Sequence, residues 1–187
     1  MSFKAPFATT TDWGVVRVGT GISVTDGVIS AGGTPGPSLN YGFFYDTTSQ
    51  LNTVADTAHP VTFNTTGTND QIAVVGSLIT VDNAGTYAVV FTLSFQKTTA
   101  GAPTTASIWL RQNGVDISNS SQSIQVPNQV PLLFVTGNYT LDVAAADTLE
   151  IVWSSPDPDV QLEFLAPAVA PIRPATASAK VSVIRVS

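Results

Sequence analysis

Cysteine is absent from the 187 residues. That excludes a disulfide framework, a thiolate zinc centre and a cysteine nucleophile, and leaves stability to packing or assembly. Histidine is nearly absent: His59 stands alone, so a site needing two imidazoles, as most zinc hydrolase motifs do, is excluded. Positive charge is scarce, with 7 Lys and Arg against 13 Asp and Glu and a net charge of −6. Cations so few and so scattered cannot neutralise a phosphate backbone, which argues against a nucleic-acid partner. No apolar run approaches the roughly 18 residues of a membrane span, so membrane insertion is not expected. The opening stretch MSFKAPFATTTDWG lacks the apolar core of a secretory leader, which predicts a product made in the cytoplasm. Glutamate is limited to Glu150 and Glu163, and both fall in alternating segments where they read as solvent-facing.

What is present is the composition of a globular β protein. Hydrophobic residues make up 43% of the chain and charged ones 11%, which suits neither a coiled coil nor a disordered polyampholyte. A mass of 19.5 kDa accommodates one ordinary domain with a short appendage. Two Gly/Pro-rich points punctuate the chain, AGGTPGPS from Ala31 to Ser38 and APAVAPIRPATA from Ala166 to Ala177. The first reads as a linker and divides the chain into an N-terminal attachment segment (1–13), a β-ribbon with its linker (14–38) and a main domain (39–187). In the ribbon, Ile22 and Val24 alternate with Ser23 and Thr25 before Asp26-Gly27, a dipeptide that favours a tight hairpin. A lone hairpin is marginal in water, so the ribbon is expected to pair with other chains.

From Tyr41 onward short period-2 segments alternate with turn residues. The clearest runs from Thr86 to Gln96, with Tyr87, Val89, Phe91, Leu93 and Phe95 on one face; Asp82-Asn83-Ala84-Gly85 supplies the turn before it. Ile72 and Val74 share one parity and Ile79 and Val81 the other, which requires a bulge or break at Gly76-Ser77. Ile108 and Leu110 alternate with Trp109 and Arg111 ahead of Asn113-Gly114, a strong hairpin signal. Val115 and Ile117 begin the return. Leu132 to Val143, then Leu149, Ile151 and Trp153 after Ala146-Asp147, and finally Lys180 to Ser187 complete the set. Such spacing predicts an all-β, two-sheet sandwich or jelly roll.

Candidate chemistry is thin. His59 precedes Pro60 and no G-x-S-x-G elbow accompanies it, so it reads as a turn residue entering a strand from Val61 to Asn64. Asp157 and Asp159 in SSPDPDV are the closest acidic pair; an exposed rigid turn is the leading reading and a weak Ca²⁺ site the alternative, with no other cofactor expected. Asp26, Asp82, Asp116 and Asp147 stand at turns, where their side chains bond local backbone. Trp109 and Trp153 read as packing residues before sugar platforms. The aromatics Tyr41, Phe43, Phe44 and Tyr45 put rings on both faces of one short strand. A strand buried on both sides predicts an intersubunit contact, with cover by a loop as the alternative. Tyr87, Phe91 and Tyr139 of the long strands are added to Tyr41, Phe43 and Tyr45 as interface candidates. Exposed polar loops supply the ligand-facing candidates Thr98, Thr99, Thr104, Asn119, Ser120 and Gln122. No residue is assigned a catalytic role.

Three stretches, VDNAGTYAVVFTLSF (81–95), SIWLRQNGVDI (107–117) and NYTLDVAAADTLEIVWSS (138–155), together resemble the complement-q globular head and tumour-necrosis-factor jelly-roll superfamily. Gly85 and Tyr87 match its central G-x-Y, and Asp147 matches the Asp of its turn before the next strand, although Ala146 stands where a Gly is usual. More narrowly, SIWLRQNG, WSSPDPDVQLEF and RPATASAKVSVIRV are similar to jelly-roll domains in fibre and virion proteins of tailed phages, marine and cyanobacterial ones especially, and the ribbon is similar to short tail-fibre shaft repeats. The resemblance implies a homotrimer of ten-stranded jelly rolls around a threefold axis, with the sheet bearing the terminal strands facing inward. It further implies a non-enzymatic structural protein on the virion surface, a fibre or knob joined to other virion proteins through residues 1–13 and binding a host glycan or surface protein. A capsid decoration or head-fibre protein, which the short chain favours, and a bacterial surface lectin-like module are the alternatives.

Overall fold

A computed structural model of the chain describes residues 22–25, 28–31, 39–128 and 132–187. Leu39–Ser187 forms one compact unit and Met1–Ser38 a separate one. In the latter, Ile22–Thr25 and Val28–Ala31 pair antiparallel, with Ile22 opposite Ala31 and Thr25 opposite Val28. The attachment segment, the Asp26-Gly27 turn and linker residues 32–38 lie outside the described residues.

Ten longer strands frame the larger unit: β1 (Tyr41–Asp46), β2 (Thr65–Asp70), β3 (Ile72–Val75), β4 (Leu78–Val81), β5 (Gly85–Lys97), β6 (Thr104–Gln112), β7 (Gln122–Val126), β8 (Leu133–Val143), β9 (Thr148–Ser154) and β10 (Ala179–Arg185), with the short strands Gln50–Leu51, His59–Pro60, Val115–Asp116, Val160–Leu162, Ala168–Val169 and Ile172–Arg173 beside them. The first sheet has the order β2-β1-β10-β5-β8 and the second β3-β4-β9-β6-β7, with antiparallel neighbours throughout. From β5 the chain crosses to the second sheet for β6 and β7, returns for β8, crosses again for β9 and ends in β10 at the middle of the first sheet. This is the connectivity of an all-β, two-sheet jelly roll.

Alternation fixes which side chains meet between the sheets. Tyr87, Val89, Phe91, Leu93 and Phe95 of β5 are all buried, together with Phe44 of β1 and Val181 and Val183 of β10. Ile79 and Val81 of β4, Ile108 and Leu110 of β6, and Ile151 and Trp153 of β9 join them in the same cluster. Trp153 is therefore a core residue; its ring meets the Phe95 ring edge-on, with centroids 5.5 Å apart at 79°. Phe91 stacks on Tyr139 at 6.0 Å and 13°. Its ring fills the space that a Cβ on Gly137 would occupy, so the strand opposite needs glycine at that point.

Two local expectations are corrected by packing and one is made specific. Val61 to Asn64 is not a strand: His59–Pro60 is the short strand, paired to β9, and the chain beyond it buries Val61 and Phe63 while their amides donate to Ile151 O (2.8 Å) and Gly76 O (2.9 Å). The break expected at Gly76-Ser77 is there, as a two-residue hairpin with Val75 opposite Leu78 and Gly76 at φ +62°. Glu150 does not face solvent: it is 8% exposed and accepts a hydrogen bond from Ser77 Oγ at 2.8 Å.

The turns follow their residue chemistry. Asn113 and Gly114 both have positive φ, as a type I′ hairpin requires. Asn113 then reaches the β8–β9 turn, where its Nδ2 donates to Asp147 (2.7 Å) and its Oδ1 accepts from the Thr148 amide (2.9 Å). Ala146 in that turn sits at φ +67°, a left-handed conformation that crowds its Cβ and that Gly would adopt without strain.

Two outcomes test this packing in urea denaturation. Gly137→Ala is expected to lower the unfolding free energy by about 1–3 kcal/mol, because Phe91 must shift. Ala146→Gly is expected to raise it by up to about 1 kcal/mol, the relief of left-handed strain exceeding the added chain entropy.

Candidate functional site

The outer face of the first sheet departs most from what water selects. In β1, Phe44 is fully buried, while Tyr41 and Phe43 are 40% and 37% exposed. The expectation of a strand buried on both sides is thus met on one side only within a single chain. β10 places Ile184 beside Tyr41, Ser182 beside Phe43 and Lys180 beside Tyr45. β5 adds Val90 opposite Ser182, and β8 sets Phe134 opposite Ser94. Val90, Phe134 and Ile184 are 38%, 54% and 46% exposed. Between them lie hydroxyls and amides, such as Thr92 and Thr136, whose oxygens are 3.2 Å apart. Lys180 is the one cation that β1, β5, β8 and β10 bring to this face. The Phe43 and Tyr45 rings stand 5.7 Å apart, and Gly67 of β2 leaves room for Phe43, since a Cβ there would come within 2.6 Å of that ring.

Three of the six interface candidates lie elsewhere. Tyr87 and Phe91 are 0% and 1% exposed, so neither offers surface to a partner; their parity in β5 is that of the core. The Tyr87 hydroxyl donates to Asn83 O at 2.7 Å, and burial raises the phenol above its ordinary pKa. Tyr139 is half-buried against Phe91; its hydroxyl donates to Ser120 O (2.7 Å) and accepts from Gln122 Nε2 (2.6 Å). Val90, Phe134 and Ile184, which the sequence reading passed over, stand on the outer face instead. Their signal was an apolar residue at the parity where alternation calls for a polar one, as in Val89-Val90-Phe91 and Leu133-Phe134-Val135.

The loop candidates do not converge. Thr98 Oγ1 donates to Asp159 O at 3.2 Å, and Thr99 Oγ1 to the Asp159 carboxylate. Thr104 opens β6 opposite Val126, while Gln122 lies opposite Ile108. Four register steps separate those pairs, about 13 Å along the strand. Asn119 is exposed at φ +65°. Ser120 is not ligand-facing: it is 2% exposed, its Oγ accepting from Leu110 N (3.0 Å) and donating to Ile117 O (2.8 Å). A short loop turning back toward β6 has to satisfy that buried amide, and Ser120 does so.

The acidic residues serve the scaffold. Asp157 pairs with the buried Lys97 ammonium, which also donates to Ala102 O at 3.1 Å. The other Asp157 oxygen accepts from Asp159 N at 3.0 Å, so this pair forms a stapled turn; no group of three or more metal-ligating side chains occurs among the described residues. Asp116 accepts from Arg111 Nε and Trp109 Nε1, each at 2.8 Å, which pins the Trp109 ring. His59 Nε2 lies 3.0 Å from Val54 O, with its ring 5.5 Å from that of Trp153. No helix among the described residues is long and apolar enough to cross a membrane.

No family model matches the sequence, and no curated protein matches it. Among solved structures the chain is similar to the globular domain of a zebrafish complement 1qA protein, at 13% identity and a TM-score of 0.47, over 79% of this chain and 98% of that one. The assignment of the fold rests on the strand order itself.

Hydrogen bonds hold Asp116, Asp147 and Asp157 below the usual carboxylate range: Arg111 chiefly for the first, Asn113 for the second and Lys97 for the third. The unfolded chain therefore takes up protons first as pH falls through about 4. Stability is expected to be flat above about pH 5 and to fall below pH 4. Thermal melts of Asp147→Asn should show a shallower acid limb than the parent.

Proposed function

We propose that this chain is a non-enzymatic assembly and binding module that acts as a homotrimer, forming a fibre or knob on a phage particle. In this reading residues 1–13 join it to other virion proteins, and the jelly roll is presented outward to a host glycan or surface protein. One observation carries the assembly: the outer face of the first sheet exposes Tyr41, Phe43, Val90, Phe134 and Ile184. A sheet face left to water ordinarily carries charge. Covering these side chains with a second copy contributes about 25 cal/mol per Å² of apolar area. Three copies repeat one weak surface site three times, which gives avidity without new contacts. The paired strands of the ribbon, four residues each, are too short to stand alone, and three ribbons on one axis complete one another.

The non-enzymatic part is supported by where the titratable groups go. His59, Asp116, Asp147, Asp157 and Glu150 each hold backbone or scaffold side chains. The phage setting is supported by the motif resemblance of the sequence, and antibody labelling of particles from the source lysate tests it: gold on tail or fibre tips is expected, whereas gold spread over the capsid favours the decoration role.

Light scattering coupled to size exclusion tests the assembly. A mass near three times 19.5 kDa that persists on dilution is expected, and Phe43→Lys with Val90→Lys should reduce it to a folded monomer. A parent that is monomeric at micromolar concentration would overturn the trimer.

A further inference from the structure

Between Val160–Leu162 and β10 the chain throws out an arm. Its base is a two-way backbone bridge, Leu165 N to Thr176 O at 2.9 Å and Thr176 N to Leu165 O at 2.8 Å. Its tip is a minimal hairpin, Ala168–Val169 paired with Ile172–Arg173. Val169 and Ile172 are 90% and 89% exposed, so two aliphatic side chains touch almost nothing of their own chain. From Ala166 to Ile172 the arm carries no charge and no polar side chain. At the foot of the arm lies a cleft of about 360 Å³ lined by Phe43, Tyr45, Thr47, Phe164, Ala177 and Lys180. Phe164 and Ala177 flank the Leu165–Thr176 bridge directly, and the pairing of Ala168 with Arg173 keeps the tip a closed hairpin. Neither Val169 nor Ile172 lines the cleft at the foot of its own arm.

We propose that the Val169–Ile172 tip of one chain docks into the Phe43–Tyr45–Phe164 cleft of a second copy of the same chain. This rests on the homo-oligomeric reading above and names the segment that locks it. The occupant is a second copy because the cleft is continuous with the outer face of the first sheet: Phe43, Tyr45 and Lys180 belong to both. The chemistry of the two patches matches, aliphatic tip against aromatic walls. The Lys180 ammonium can donate to tip carbonyls, and Pro171 brings no backbone N–H to be left unpaired. Since tip and cleft are different patches, the contact repeats head to tail, and a ring of three closes it in the trimer.

Two variants of the full chain test the docking. Val169→Asp with Ile172→Asp changes only fully exposed positions, so the monomer fold and its thermal melt should be kept. By light scattering, half-assembly should then need about tenfold more protein or beyond, as loss of a buried aliphatic anchor pair does at interfaces. An unchanged dilution curve against an oligomeric parent would overturn the arm while leaving the sheet-face assembly standing; a monomeric parent would overturn both. In the cysteine-free background, Val169→Cys with Lys180→Cys supplies the second readout. Mild oxidation should give disulfide-linked chains at two and three times the monomer mass on non-reducing gels. A disulfide formed within one chain would place the tip in its own cleft and overturn the proposal.

Discussion

The sandwich depends on the inner face of β5. Its thirteen residues pair with β10 and Val160–Leu162 on one side and β8 on the other, and every second side chain from Tyr87 to Phe95 is withdrawn from water. That parity leaves no freedom: a slip of one residue would bury Thr92 and Gln96 and expose five large apolar groups. Phe95 meets Trp153 across the sandwich and Phe91 lies over Gly137, so register along β5 also fixes β9 and β8. The absence of disulfides is consistent with a core of this size, which needs no covalent staple.

At the ends of the strands, aspartates do what the core cannot. Asp147 gathers Asn113, Gln112 and the Ala144 amide, tying the β6 hairpin to the β8–β9 turn. Asp157 receives Lys97 from the end of β5. Each ion or amide pair is modest in water; its value lies in fixing where loops leave the sheets. These aspartates thus serve the scaffold, and the feature of the described surface that calls for a partner is the apolar outer face of the first sheet.

Much of the fold was legible in the residues. Alternation from Tyr87 to Phe95 marked a core face, and Asn113-Gly114 and Asp82 to Gly85 marked turns, each from local preferences acting over two to four residues. The candidate site was legible only in part. Tyr41, Phe43 and Tyr45 were found because rings crowd one short strand, yet Tyr87 and Phe91 were grouped with them by residue type although their parity belongs to the core. Ser120 and Glu150 read as exposed because polar residues usually are, and both are buried against specific donors or acceptors that no window of sequence contains.

By itself, then, the sequence determined the class of fold, the faces of its long strands and the chemistry it excludes, because strand periodicity, turn conformation and the absence of cysteine are properties of neighbouring residues or of composition. Tertiary structure alone decided which outer faces lie side by side. Val90, Phe134 and Ile184 come from positions as far apart as 90 and 184 and join Tyr41 and Phe43 only through the β1-β10-β5-β8 pairing. The arm at 168–173 shows the same division: its apolar letters are plain in the sequence, but that they stand clear of their own chain beside an aromatic cleft follows from long-range pairing, which local preference does not encode.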